Sequence, residues 1–169
     1  MKEPIFKEGD WIVHNAYGVG QIRSIEQKPI HGETVSVFRV KTRNSIYWLP
    51  IENADNSRVR RISGQEKLDQ ALAQLETAPE NMGTDYRSRN NHISEILAGG
   101  SIVEKVGLLR DLLGLRGEKV WSNTENDTAR MIFDQLSSEY SVIYDVPLEH
   151  AKAKINAIIL KNFPNFSMI

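Results

Sequence analysis

Phe6-Lys7-Glu8-Gly9-Asp10-Trp11-Ile12-Val13-His14-Asn15-Ala16-Tyr17-Gly18-Val19-Gly20-Gln21-Ile22-Arg23-Ser24-Ile25 reads as two short strands around a glycine-rich turn. Trp11 to His14 suits a pleated, half-buried surface. Gly18 and Gly20 flank Val19, so the backbone is free to take positive φ on either side of one apolar anchor. Gln21 to Ile25 then alternates polar and apolar side chains, the period of a strand with one buried face. No residue in the stretch has catalytic character. It predicts the first hairpin of a small barrel.

The strand pattern continues to residue 63. Lys28-Pro29-Ile30-His31-Gly32-Glu33 predicts a turn, with Pro29 fixing φ and Gly32 permitting positive φ. Thr34 to Lys41 predicts a strand with Val35, Val37 and Arg39 on one face and Ser36, Phe38 and Val40 on the other. Ser45-Ile46-Tyr47-Trp48-Leu49-Pro50 is a strong strand that Pro50 ends by removing a ladder donor. Arg58 to Ile62 supplies a last short strand.

After residue 63 the apolar period becomes helical. Ser63-Gly64-Gln65-Glu66, Ser101-Ile102-Val103-Glu104 and Ser122-Asn123-Thr124-Glu125 all read Ser-x-x-Glu, the capping box that opens a helix. They predict helices carrying Leu68, Leu72 and Leu75; Val103, Val106, Leu109, Leu112 and Leu113; and Ala129, Ile132, Phe133, Leu136 and Tyr140. A helix from Thr84 or Asp85 to Gly99-Gly100 buries Ile93, Ile96 and Leu97. Another starts near Pro147 and carries Ala151, Ile155, Ile158 and Ile159. Residues 165–169 are expected to fray, with Phe166 and Ile169 as possible docking points. The expected class is α+β: a small, twisted, partly open β-barrel over 1–63, then a bundle of about five amphipathic helices over 64–169.

Composition narrows the function. Of 169 residues, 40% are hydrophobic and 25% charged, as in ordinary globular chains. Residues 1–63 hold 10 Lys/Arg against 7 Asp/Glu, whereas 64–169 hold 11 against 15. Any nucleic-acid contact in the second half therefore rests on a local cluster rather than a basic excess. There is no cysteine, which fits a reducing compartment and leaves no thiolate metal site. The Met-Lys-Glu-Pro start leads into no apolar run, so no signal peptide is expected. No apolar stretch approaches the roughly 18 residues of a spanning helix. His14, His31, His92 and His150 do not sit at ligand spacing, and phosphate-loop and nucleophile-elbow motifs are absent. The expectation is no enzyme, no metal, no cofactor, no small-molecule substrate and no membrane partner.

Two stretches point to binding. Ile46-Tyr47-Trp48-Leu49 is bulky on both faces, and one face of a small barrel strand meets solvent or a partner. Tyr86-Arg87-Ser88-Arg89-Asn90-Asn91-His92 gathers two arginines, an aromatic and amides at a helix start, where free N–H groups could meet a phosphate backbone. The structural alternative is a solvated helix face with Arg89 paired to a carboxylate. Arg58, Arg60 and Arg61 form a further small basic patch.

These motifs together carry a family resemblance. Phe6-Lys7-x-Gly9-Asp10-x-x-Val13-His14-x-x-Tyr17-Gly18-Val19-Gly20-x-Ile22-x-x-Ile25-Glu26, then Ile30-x-Gly32, Tyr47-x-x-Pro50-x-Glu52-Asn53-Ala54 and Val59-Arg60, resembles the CarD/CdnL family of bacterial transcription regulators. The opening motif is also that of the polymerase-interacting module of transcription-repair coupling factors, but no helicase motifs follow. Arg87-x-Arg89, Gly99-Gly100, Leu109-Arg110-Asp111-Leu112 and Ser122-x-x-Glu125 resemble the family's carboxyl-terminal domain.

The resemblance implies a Tudor-like first domain that binds the RNA polymerase β subunit by strand addition at a sheet edge. The matching contact positions are Lys28, Ile30, Tyr47 and Trp48. It also implies a helical domain that touches promoter DNA without sequence specificity and stabilises the melted promoter with a tryptophan wedge. The matching position here is Tyr86, with Arg87 and Arg89 beside it. A family arginine-tyrosine-lysine stretch reads Arg89-Asn90-Asn91, and a basic position after the fourth helix's capping glutamate reads Asn126-Asp127. These departures point to weak DNA binding, or to an adaptor whose acidic helical half binds another protein. A cytoplasmic location is implied.

Overall fold

The computed structural model describes residues 5–54 and 58–169. Met1–Pro4, read above for a targeting segment, lies outside them. The chain divides into two units, Met1–Ile62 and Ser63–Ile169. Among the described residues, no helix is long and apolar enough to cross a membrane.

In the first unit, β-branched and aromatic runs form five antiparallel strands: β1 (Trp11–His14), β2 (Gly18–Ile30), β3 (Glu33–Thr42), β4 (Ile46–Pro50) and β5 (Val59–Arg61). The sheet order is β4-β3-β2-β1-β5, with β4 and β5 at its two ends. The sheet is thus open and barrel-like at most, not a closed barrel. Its inner face packs Phe6, Ile12, Ile22, Phe38, Val40 and Leu49.

The two glycines of the opening turn serve different ends. Gly18 has φ +74°, a conformation that L side chains rarely adopt. Gly20 does not; a Cβ there would stand 2.7 Å from Val40 Cγ1, so its role is close strand packing. The next turn is shorter than expected. β2 runs on through Lys28, Pro29 and Ile30, and only His31 and Gly32 turn, with φ 49° and 83°. Two positive φ values in a two-residue loop suit the right-handed twist of the flanking strands. Pro29 is therefore a strand residue rather than a turn residue, paired with Thr34.

The register slips between Ile22 and Ser24. One residue is absorbed there, so Ile22 and Ile25 face the same way although three apart, opposite Val40 and Phe38. Beyond the slip Ser24, Glu26, Lys28 and Ile30 share the opposite, outer face.

The second unit contains α1 (Gln65–Gln74), α2 (Tyr86–Gly99), α3 (Ile102–Arg116), α4 (Asn123–Ile143) and α5 (Leu148–Asn162). α3 is not amphipathic as expected. It is buried from Lys105 through Leu113, the charged Lys105, Arg110 and Asp111 included, and packs against α1, α2 and α4. Two of the three capping boxes form. Ser101 pairs with Glu104, and Ser122 with Glu125, each with reciprocal bonds. The Ser63 box does not form. Gly64 is the α1 N-cap without a side-chain bond, and the Ser63 amide donates to buried Glu139 Oε1 at 3.0 Å. α5 begins at Leu148, with Pro147 as its N-cap rather than in its first turn.

The Arg110-Asp111 pair is architectural. Arg110 Nε donates to Asp111 Oδ1 (2.8 Å), and its Nη1 reaches Gln74 Oε1 and Thr77 Oγ1 (3.1 and 2.7 Å). Asp111 Oδ1 also accepts from the Glu80 amide at 2.8 Å, so α3 fixes the chain leaving α1. The tail docks rather than frays. The Met168 amide donates to Asn156 Oδ1 at 2.6 Å, and Phe166 and Met168 pack on the core, while Ile169 is exposed.

Candidate functional site

The first candidate surface lies on the outer face of β2, β3 and β4. Trp48 pairs with Arg39, and Arg39 with Ser24, so strand alternation brings Ile46, Trp48, Lys41, Arg39, Glu26 and Lys28 to one side. Trp48 is 45% exposed. Its indole Nε1 donates to Glu26 Oε2 at 3.0 Å. The Lys28 ammonium stands 4.5 Å from the indole centroid and 3.8 Å from Glu26 Oε2. Arg39 Nε lies 3.8 Å from Glu26 Oε1, and Ser24 Oγ donates to the same oxygen at 3.4 Å. Exposed ion pairs of this kind contribute about 0–1 kcal/mol each, so the network orients more than it stabilises. β4 has β3 on one side; its other edge carries no strand among the described residues. The patch thus combines an open backbone edge, one large aromatic and a cation-rich rim.

Of the four expected contact positions, Lys28, Ile30 and Trp48 share this face. Tyr47 does not. It points to the inner face, only 9% exposed, stacked on Tyr17 with centroids 4.5 Å apart and with the His14 ring edge-on at 5.5 Å. Burial, then the nearby Tyr17, push its phenol up to about 12. Burial, then the Arg58 charge, lower the His14 imidazole. The Tyr47 hydroxyl is buried without a hydrogen-bond partner among the described residues. An unsatisfied buried hydroxyl costs about 1–3 kcal/mol. Tyr47→Phe should therefore raise the stability of the sheet by about 1 kcal/mol and leave the outer face unchanged, as read from urea unfolding.

The second surface lies in the helical unit, where α2 and α4 begin. Asp85 caps α2, accepting from the Arg87 and Ser88 amides (3.3 Å each) and from Ser88 Oγ (2.7 Å). The Ser88 hydroxyl, then those two amides, hold its carboxyl below the usual range. Two N–H groups that sequence reasoning left open for phosphate are thus occupied. Tyr86 and Arg87, the first helical residues, are exposed, Tyr86 by 50%. The polar side chains of Asn90, then Thr124, beside the Tyr86 phenol hold it below its usual range.

Arg89 turns the other way. It is 3% exposed, and its Nε donates to Glu125 Oε1 at 2.9 Å while Nη1 donates to the Gly83 carbonyl at 3.2 Å. Glu125, 1% exposed, is also the capping glutamate of α4, its Oε2 accepting from the Ser122 amide at 2.8 Å. Burial raises the Glu125 carboxyl, but the Ser122 amide, Arg89 and the Ser122 hydroxyl outweigh it, and the pKa is lowered. One carboxylate thus caps α4 and anchors α2. Tyr86 and Arg87 are exposed, and the buried Arg89 guanidinium lies 5.9 Å from the Tyr86 ring centroid.

Sequence reasoning missed Glu26 as the hub of the first surface and Glu125 as the partner of Arg89. The two-residue spacing of Glu26 and Lys28 was the available signal for the first. For the second, Glu125 was already assigned to a cap, and nothing local announces a second bond. Among the described residues, no group of His, Cys, Asp and Glu could hold a metal ion.

The sheet thus carries an open edge beside an aromatic, cationic face, and the helical unit exposes an aromatic and an arginine at a helix start. Residues 6–63 match the CarD-like/TRCF RID domain, and residues 70–156 match the CarD C-terminal domain. The chain belongs to the CarD family, whose members are transcription-related, RNA polymerase-interacting regulators and generally not enzymes. It is also 23% identical over 151 residues to a Bacillus subtilis (strain 168) protein named "Putative transcription factor YdeB", a match covering 88% of this chain and 99% of the relative.

Proposed function

We propose that the chain docks on the β subunit of RNA polymerase through the β4 edge and the Trp48 face, and that its helical unit touches promoter DNA without sequence specificity, modulating open-complex stability. The observation that carries the docking is the half-exposed indole beside a β4 edge that pairs with no strand among the described residues. A partner strand added to β4 gains backbone hydrogen bonds along the edge, while Trp48, Lys28 and Ile30 read its side chains. The polymerase partner implies a cytoplasmic location.

On the DNA side, Tyr86 offers a ring to a distorted minor groove and Arg87 a charge to the backbone. Few cations are available, so contact is weak alone and gains from tethering to polymerase. A second reading is favoured by the 11 Lys/Arg against 15 Asp/Glu in residues 64–169 and by the inward turn of Arg89. In that reading the helical unit is an adaptor for another protein.

Titrating promoter DNA with the full chain at several salt concentrations separates the two. One or two phosphate contacts predict a slope of log K against log salt of about −1 to −2. A flat response, or no binding even in the presence of polymerase, assigns the helical unit to a protein partner.

A further inference from the structure

We propose that Glu26 is a positioning residue for docking, one that holds the Trp48 indole in the orientation its partner meets. The inference rests on the docking reading above. An exposed tryptophan on an edge strand has several rotamers open to it, and ordering it on binding costs affinity. Here that freedom is already restricted. Glu26 Oε2 accepts from indole Nε1 at 3.0 Å, fixing the ring's polar edge toward β2. The Lys28 ammonium lies 4.5 Å from the ring centroid, covering the aromatic system from one side.

Glu26 places the cations as well. Lys28 and Arg39 each stand 3.8 Å from a different oxygen of its carboxylate. The one carboxylate therefore arranges an aromatic and two cations drawn from three strands. The register slip at Ile22/Ser24 makes this possible. An unbroken alternation would have sent Glu26 and Lys28 to the inner face, away from Trp48.

This role depends on an acceptor atom more than on charge. A glutamine at position 26 keeps an oxygen for the indole N–H, whereas alanine keeps nothing. The test measures binding of full-length Glu26→Ala, Glu26→Gln and Trp48→Ala to purified RNA polymerase, together with the Trp48 side-chain N–H resonance in the free protein. Glu26→Ala is expected to lose about fivefold to tenfold in affinity, with that resonance moving to the position of a solvent-exposed indole. Glu26→Gln is expected to stay within about threefold of wild type and to keep a hydrogen-bonded resonance.

Wild-type affinity in Glu26→Ala, with Trp48→Ala still impaired, overturns the positioning role and leaves the docking reading standing. Equal losses in Glu26→Gln and Glu26→Ala overturn it too, because charge and not the acceptor would then matter. Wild-type affinity in Trp48→Ala overturns the docking reading itself.

Discussion

Trp48→Ala is expected to weaken RNA polymerase binding by about thirtyfold or more while the protein stays folded. Large aromatics at the centre of a docking patch commonly carry about 2 kcal/mol or more, which sets that figure. The fold should survive because the indole is 45% exposed and its partners are surface groups, not the packed core. Truncation also strands Glu26 between Lys28 and Arg39 without its indole donor, an exposed rearrangement of small energy. Circular dichroism identical to wild type, with loss of polymerase capture, is the expected pair of results. Undiminished capture by a folded variant removes the outer face from the interface.

The second large effect falls on the helical unit. Removing one partner of a buried, hydrogen-bonded ion pair costs about 3–5 kcal/mol, because the other charge stays buried and uncompensated. Glu125→Ala leaves Arg89 in that state and also deletes the capping box of α4. Urea unfolding followed by helical circular dichroism should show the loss. Arg89→Met combined with Glu125→Leu should recover most of the ion-pair component, since neither charge remains. The same carboxylate sets an acid limit. Its folded pKa is lowered, so its stabilisation is present above the unfolded carboxylate value, near ~4.3, and is lost as pH falls through the folded value. Stability of the helical unit should therefore decline on acidification below about pH 4.5, and less steeply in the double variant.

Features encoded in local spacing were legible in the sequence. Ser101 with Glu104 and Ser122 with Glu125 mark helix starts because both partners lie in one turn. Ser63 has the same spacing, yet its amide bonds Glu139, 76 residues away. A distant acceptor overrides a local rule without changing the local pattern. The β2–β3 hairpin misled for a related reason. Pro29 resembles a turn residue, but His31 and Gly32 with positive φ suffice to reverse the chain.

The candidate sites divide along the same line. That the Ile46–Leu49 strand has one exposed aromatic was readable. Which of Tyr47 and Trp48 it is depends on the register with Val40 and Arg39. Arg87 and Arg89 are two apart on one helix and look equivalent in sequence. One reaches solvent and the other is buried against Glu125, 36 residues on. With Arg89 turned inward, the exposed aromatic and cation at that helix start are Tyr86 and Arg87.

The lifetime of the open complex on a simple promoter, with and without the full chain, is the most direct test of polymerase docking coupled to promoter contact. The lifetime should change with wild type, change much less with Tyr86→Ala, and change much less with Trp48→Ala at the lowest concentration where wild type saturates. A lifetime unaltered by wild type, or altered equally by Trp48→Ala, would contradict that coupling.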